Sequence, residues 1–338
     1  MMIGRTKPAT LKMIAERTGL SLSTVSLCLR GQGNKVRDET RQKVAHAAKA
    51  LGYVPNRASV RLRTGRNYVL TLLLDVDANI VDYSRMLIEG VGAALEDTGY
   101  HLTVVPELAK ADPLAEVEHI IKNATADGVI LTHTHARDPR VQLLMEADFP
   151  FVCHGRTEFY TPHASYDFCA EDFAAIAVER LYARGRQHLL LAAIDNQTTN
   201  YALICSGFLA AIRQNAITGT ILPDAARLQK PMRARILATS ITDTPPLPDG
   251  IICNNELTAL ALIAGLQECG LILGRDYDLI CKQTTDILPI LHPEMDTIFE
   301  DWHASGVGLA KLLLRKINGE DPGDLQILQK PVPHWRNL

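Results

Sequence analysis

Three short stretches near the start of the chain place apolar residues at helical spacing, each opened by a residue suited to capping. Leu11, Ile14 and Ala15 form the first stripe, with Thr10 as N-cap and Gly19 as the stop. Leu20 packs the turn, Ser21 caps a second short helix, and Leu22, Val25 and Leu29 recur in it at i, i+3 and i+7. The third helix is expected from Asp38, a candidate N-cap, through Val44, Ala47, Ala48 and Leu51 to Gly52. Two helices joined by a tight glycine turn make a helix-turn-helix, and three short helices can share one small core.

From Tyr68 onward the pattern changes to short apolar runs alternating with amphipathic segments. VLTLLL is followed by a helical stretch from Ser84 to Thr98, HLTVV by Leu114 to Ala124, GVILT by Pro139 to Ala147, and then comes FVCH. The rhythm resumes with Ala170 to Arg184, residues 189–194, Tyr201 to Asn215, residues 250–253, Glu256 to Gly270, residues 278–281 and Asp301 to Asn318. Such alternation implies parallel sheets covered by helices. The expected fold is an all-α helix-turn-helix head on an α/β body of two doubly wound parallel-sheet subdomains.

With 338 residues and 47% apolar content the chain can bury more than one core. No segment approaches an apolar membrane span and the N-terminus lacks a signal pattern, so a cytoplasmic protein is expected. Seven scattered cysteines without a Cys-x-x-Cys pair read as reduced, mostly buried fillers rather than metal ligands or disulfides. Charge is unevenly spread: residues 1–66 carry 14 Lys and Arg against 3 acidic residues, a net +11, and the remainder carries −14. A basic head attracts a polyanion while an acidic body repels it.

The second helix turns Val25 and Leu29 inward, leaving Leu22, Ser23, Ser26 and Leu27 outward near its N-terminus, the part that enters the major groove in this motif. These side chains can meet thymine methyls and phosphates, but none offers a bidentate pairing to guanine or adenine. The segments TLKMIAERTGLSLSTVSLCL and VRDETRQKVAHAAKALGYVPNRASVRL resemble the head of the LacI/GalR repressor family. The resemblance implies operator contacts from Thr10, Leu11, Ser21, Leu22, Ser23, Thr24, Ser26, Leu27, Arg30, Lys35, Val36, Arg37, Thr40 and Tyr53. It also implies a hinge helix over residues 56–67, with Asn56, Arg57 and a minor-groove wedge at Leu62. Leu27, where many relatives have a polar residue, and Ser59, where alanine is usual, depart from the family pattern. The body is expected to be periplasmic-binding-protein-like, with the chain crossing between subdomains near Phe168, Thr297 and Asp321. That gives a head over 1–55, a first subdomain over 68–167 and 297–321, and a second over 168–296 and 322–338.

Ligands of open parallel sheets sit beyond the carboxyl ends of the strands. Residues following the apolar runs therefore form the candidate effector site: Asp75, Asn79, Tyr83, Glu107, His133, His154, Arg156, Phe168, Asn200, Tyr201, Asn255 and Gln283. Amides and carboxylates suit sugar hydroxyls, and Phe168 or Tyr83 could stack on a ring face. Loop-end Asp and Asn are also helix caps, so Asp75, Asp77 and Asn196 carry both readings. The segment CNNELTALAL matches the family stretch whose asparagine binds effector. Gln283 stands where the family has aspartate, and Ile204 where it commonly has a ligand-gripping arginine. Arg156 either replaces that arginine or forms a surface salt bridge.

Neither a His-Glu-x-x-His, a Gly-x-Ser-x-Gly nor a phosphate loop is present, and Gly31-Gln32-Gly33 lies between helices, so neither catalysis nor a cofactor or metal is expected. VPHWRNL has no leucine heptad of the tetramerising kind. The combined expectation is a homodimeric, ligand-responsive regulator that binds double-stranded operator DNA, with a sugar as effector and repression of sugar uptake or catabolism genes as its role. A corepressor-dependent regulator of a non-sugar metabolite and a ligand-independent DNA-binding protein remain the alternatives.

Overall fold

The computed structural model describes residues 9–29, 36–53, 65–75, 83–107, 112–194, 197–222, 238, 241–242 and 246–336. The chain divides into two compact units, Met1–Asn67 and Tyr68–Leu338. Among the described residues no helix is long and apolar enough to cross a membrane.

In the first unit, α1 (Leu11–Thr18), α2 (Leu22–Leu29) and α3 (Asp38–Ala50) pack around Ile14, Val25 and Val44, which are fully buried. Thr10 caps α1 by accepting a hydrogen bond from the Met13 N–H, and Gly19 ends it in the left-handed conformation at φ +68°, which glycine adopts without strain. Ser21 Oγ accepts from the Thr24 N–H at 3.1 Å, starting α2. Two local expectations change. The inward pair on α2 is Val25 with Cys28, while Leu29 is only partly buried. At α3, Asp38 occupies the first helical position rather than the cap, which is Arg37 without a side-chain cap bond. There its carboxylate faces the helix dipole and pairs with Arg41 at 3.0 Å.

The second unit holds two six-stranded sheets. The first contains β1 (Val69–Asp75), β2 (His101–Glu107), β3 (Gly128–Leu131), β4 (Phe151–His154), β5 (Ser165–Phe168) and β11 (Gln326–Gln329), in the order β11-β5-β4-β3-β1-β2. The second contains β6 (His188–Ala192), β7 (Thr218–Ile221), β8 (Gly250–Cys253), β9 (Asp278–Gln283), β10 (Asp296–Phe299) and β12 (Val332–His334), in the order β12-β10-β9-β8-β6-β7. Leaving out the last strand of each, both sheets have the 2-1-3-4-5 doubly wound order. Ladder pairings are parallel except for antiparallel β12 against β10.

Helices α4 (Tyr83–Leu95), α5 (Ala115–Asn123), α6 (Pro139–Glu146) and α11 (Trp302–Ile317) cover the first sheet. The period-two alternation of β1 shows how: Leu70 and Leu72 pack with Leu87 and Leu309 on one face, and Leu73 packs with Ile120 and Leu144 on the other. The second sheet is sandwiched between α7 (Ala170–Ala183) and α8 (Thr199–Asn215) on one face and α9 (Glu256–Glu268) and α10 (Ile287–Leu291) on the other. Gly90 of α4 and Gly306 of α11 let the two helices touch backbone to backbone, since a Cβ on either would overlap the facing carbonyl. That close approach fixes the N-terminus of α11.

Two crossings fall later than the sequence suggests. Thr297 lies within β10, paired with Cys281 in the second sheet, so the chain passes over at Glu300 and Asp301. Residues 326–329 pair with β5 in the first sheet, which places the last crossing at Lys330 and Pro331 rather than near Asp321. The strands that periodicity missed, β5, β7, β10, β11 and β12, have at most four residues each. Their polar content hides them: Asp167 and Asp296 are buried in β5 and β10 beside arginines.

Candidate functional site

In the head, the side chains that the motif directs outward on α2 are accessible: Leu22 is 52% exposed, Ser23 is exposed, and Ser26 and Leu27 are partly exposed. Ser21 Oγ lies 2.7 Å from Ser23 Oγ and 2.8 Å from Thr24 Oγ1, a hydroxyl cluster at the helix N-terminus, where backbone N–H groups favour phosphate oxygens. Thr10 and Arg37 are exposed and Thr40 is partly so. Leu11, Val36 and Tyr53 instead pack part of their surface against the head core. Arg30, Lys35, Asn56, Arg57 and Leu62 lie outside the described residues.

In the body, a cleft of about 370 Å³ lies between the sheets at the carboxyl ends of their strands. Thr132, His133 and Thr134 follow β3, and His154 ends β4. Ile194 follows β6, Asn254 and Asn255 follow β8, and Lys282 lies in β9. The cleft therefore occupies the position that doubly wound sheets provide for ligands. Thr134 also links the two sides, its carbonyl accepting the Thr199 N–H at 3.2 Å.

Trp302, the first residue of α11, supplies the aromatic wall. Its ring stacks on His154 at 4.3 Å and tilts against Tyr83 at 4.4 Å. Beneath it, Lys282 Nζ lies 2.5 Å from Glu300 Oε2, with both side chains nearly enclosed. His154 Nε2 makes no hydrogen bond among the described residues, and its closest carboxylate oxygen is Glu300 Oε1 at 4.0 Å. Burial, reinforced by the charges of Lys282 and His133, pushes His154 down to about 3, so the ring is neutral near pH 7. Asp167 is pushed up to about 6 by burial, with Glu300 adding to the rise and Arg156 opposing it.

On the opposite wall Asn255 caps α9, accepting the Thr258 N–H at 3.0 Å, and Asn254 pairs with the Ile194 backbone at 2.9 and 3.3 Å. Glu256 accepts the Thr284 and Thr285 N–H groups and the Thr285 hydroxyl. Thr198, Asn200 and Thr284 also line this wall, and Ile194, Leu257, Leu260 and Ile287 form an apolar patch among them.

Of the candidate effector residues, Tyr83, His133, His154, Asn200 and Asn255 line the cleft. Asn79 lies outside the described residues, as do Asp77 and Asn196. Asp75 sits behind the lining, 3.7 Å from His133 Nε2. Four candidates have other employment. Glu107 pairs with Arg140 at 2.5 Å, and Gln283 accepts the buried Thr297 hydroxyl at 2.7 Å. Phe168 lies in the second core and not on the cleft, with Lys282 Nζ 5.4 Å from its ring centre. Arg156 is spanned by Asp167 and Glu171 at 2.5 and 2.7 Å, so it does not replace the arginine missing at Ile204, itself a core residue. Tyr201 packs partly against that same core. Trp302, Glu300 and Asp167 escaped the sequence reading because they belong to the crossing segments; the Trp-His pair that opens the last helix at 302–303 was the available signal. All seven cysteines are free, and burial pushes the Cys153, Cys253 and Cys281 thiols up, away from reactivity.

Residues 10–56 match the sequence profile of bacterial regulatory proteins of the lacI family, and residues 178–337 match that of the periplasmic binding protein-like domain. The HTH-type transcriptional regulator AglR of Rhizobium meliloti (strain 1021) is 28% identical over 91% of this chain and 87% of its own length. The HTH-type transcriptional regulator RafR of Escherichia coli is 28% identical over 96% of both chains. Among solved structures, the lac repressor dimer bound to operator and the anti-inducer ONPF superposes with a TM-score of 0.80 at 22% identity, covering 98% of each chain. The CelR–cellobiose complex superposes at 0.69 with 22% identity, covering 97% of this chain and 99% of that one. The two structures share the fold of this chain, while the two profiles together span more than half of it and the regulators align along nearly all of it. The chain belongs to the lacI family of bacterial regulatory proteins, which are helix-turn-helix transcription regulators and not enzymes.

Proposed function

We propose that this protein binds operator DNA as a homodimer and represses genes for sugar uptake or catabolism, with a sugar held in the interlobe cleft as its effector. The observation that carries the reading is the cleft itself: Trp302 offers a flat apolar face beside the hydrogen-bonding His133, Asn200 and Asn255. A pyranose has that same combination of hydroxyl edge and apolar C–H face. The cellobiose in the CelR complex, a protein of the same fold, is in keeping with this. Exposed Ser23 and Leu22 on α2, with the net +11 of residues 1–66, suit a phosphate-and-methyl readout of the major groove.

Effector and operator are then linked through the conformations each prefers, with a coupling of about 1–3 kcal/mol as is usual between such sites. The test is selection of fragmented genomic DNA by the purified protein at near-physiological salt, with and without a sugar panel. Enrichment of a few palindromic sites beside transport or catabolic genes, altered by one sugar, is the expected result. Retention without enrichment under every condition overturns it. In the same assay Leu62→Ala, at the wedge position implied by the family resemblance, weakens operator binding at least tenfold and leaves sugar binding unchanged.

A further inference from the structure

The boundary between the two units falls on a strained residue. Tyr68, the first residue of the second unit, has φ +58° and stands immediately before β1. A side chain of this bulk is uncommon in the left-handed region and stays there only where its surroundings demand it. Ala124 and Ala216 adopt positive φ where they end α5 and α8, as helix ends commonly do. Tyr68 ends no helix, so its conformation needs another cause.

Three neighbours supply it. Asp127, the residue before β3, accepts the Tyr68 N–H on Oδ2 at 2.8 Å. His101, at the start of β2, donates its N–H to the Tyr68 carbonyl at 2.9 Å. Tyr100 sets its ring against that of Tyr68, with the centres 5.2 Å apart. Since β3 and β2 flank β1, both adjoining strands grip the residue that leads into it. The Asp127 N–H in turn donates to the Val69 carbonyl at 2.8 Å, which fastens the carboxylate's own backbone to β1. Such backbone bonds are open to any residue with an N–H at these positions, whereas the carboxylate is particular to this sequence.

We propose that Asp127 is a positioning residue for operator binding: it holds Tyr68 in the left-handed conformation and so fixes the direction in which the chain enters the body from the DNA-binding head. This rests on the operator reading above. With Tyr68 released to the extended region, β1 continues backward in line and the body no longer sets the direction of the linker. A dimer must deliver two heads to half-sites at one spacing, so freed linkers lose affinity for a palindrome through the cost of ordering them. A single half-site makes no such demand.

Fluorescence anisotropy of the full-length protein tests this on two duplexes: the palindromic fragment that the unaltered protein enriches most in the genomic selection, and the same fragment with one half-site scrambled. Asp127→Ala weakens binding of the palindrome at least tenfold and leaves the scrambled duplex within twofold. Asp127→Asn, which keeps an acceptor oxygen, stays within threefold on both. A second pair of variants acts on Tyr68 itself. Tyr68→Asn and Tyr68→Val both remove the ring, but asparagine tolerates the left-handed region and a β-branched residue does not. The palindrome is therefore kept within threefold by Tyr68→Asn and lost at least tenfold by Tyr68→Val, each read well below the variant's melting temperature. An Asp127→Ala protein that holds the palindrome unchanged, or loses both duplexes equally, overturns the inference and spares the operator reading. Equal affinities of the two Tyr68 variants do the same. Enrichment of no fragment by the unaltered protein under any condition overturns the operator reading and this inference with it.

Discussion

The two lobes of the body share one strand order but put their arginine clusters at opposite ends. In the first lobe the ion pairs stand at the carboxyl ends of the strands, beside the cleft: Arg140 bridges Asp138 and Glu107, and Arg156 bridges Asp167 and Glu171. Arg140 also donates to the Thr132 and His133 carbonyls, so it holds the backbone of the cleft wall directly. In the second lobe the arginine pairs stand at the amino ends, far from the cleft, where the ion pair among the described residues is Lys282–Glu300. Arg184, Arg186 and Arg336 converge on Asp278 at the start of β9, and Arg180 pairs with Asp296 at the start of β10. Its cleft wall is shaped by helix caps, apolar side chains and the Lys282–Glu300 pair. Identical topology thus yields one wall whose backbone is braced by an arginine and one shaped by helix caps around the Lys282–Glu300 pair.

The largest effects come from breaking either brace. Arg140→Ala leaves Asp138, 1% exposed at its side chain, without its partner and lowers stability by roughly 3–5 kcal/mol in denaturant unfolding. Because the Thr132–His133 backbone loses its support, ligand affinity falls as well. Asp278→Ala strands three arginines and costs a similar roughly 3–5 kcal/mol, but ligand affinity measured by calorimetry stays within twofold of the unaltered protein. Equal loss of affinity in both variants breaks the distinction between the lobes.

Acidification probes the braced wall next. Between about 3 and the ordinary value near 6.5, the unfolded chain holds a proton that folded, neutral His154 refuses. Its contribution to stability is complete above about pH 6.5 and declines as the pH falls, by about 2–3 kcal/mol on reaching pH 4.5. Asp167, with its raised value of about 6, works the other way, destabilising the fold as the pH rises from about 4 to 6. His154→Gln removes the first slope and leaves the second, which thermal melts across this range resolve; an unchanged slope shows that His154 is not held neutral.

The smallest effect on stability belongs to the second-lobe wall. Asn255→Ala removes the α9 cap and costs about 1 kcal/mol. The response of DNA binding to effector is abolished all the same, while operator affinity without effector is unchanged; a response that survives moves the site away from Asn255.

The head was legible almost residue by residue, because its caps, turn glycine and apolar spacing act within three or four positions of one another. Even there the sequence pattern placed Leu29 in the core, where the fold buries Cys28 and leaves Leu29 partly exposed. Long buried strands such as β1 announced themselves through consecutive apolar residues, whereas β5 and β10 did not, since each carries an aspartate paired with an arginine outside the strand.

The candidate site divides along the same line. His133, His154, Asn200 and Asn255 could be named because a residue following a strand in a doubly wound sheet must lie at the cleft end, which is a local inference from topology. Arg156, Glu107 and Gln283 satisfied that rule too, yet their partners claim them, and a partner is invisible until the chain has folded. Trp302 and Glu300 came from a crossing whose position depends on which sheet accepts β10 and β11. The sequence by itself determined the helix-turn-helix, the strand–helix alternation and the polarity of head and body, all products of short-range spacing and composition. The tertiary structure alone decided which charges are paired and therefore which groups are left to meet a ligand, because pairing is set by contacts between residues tens to more than a hundred positions apart.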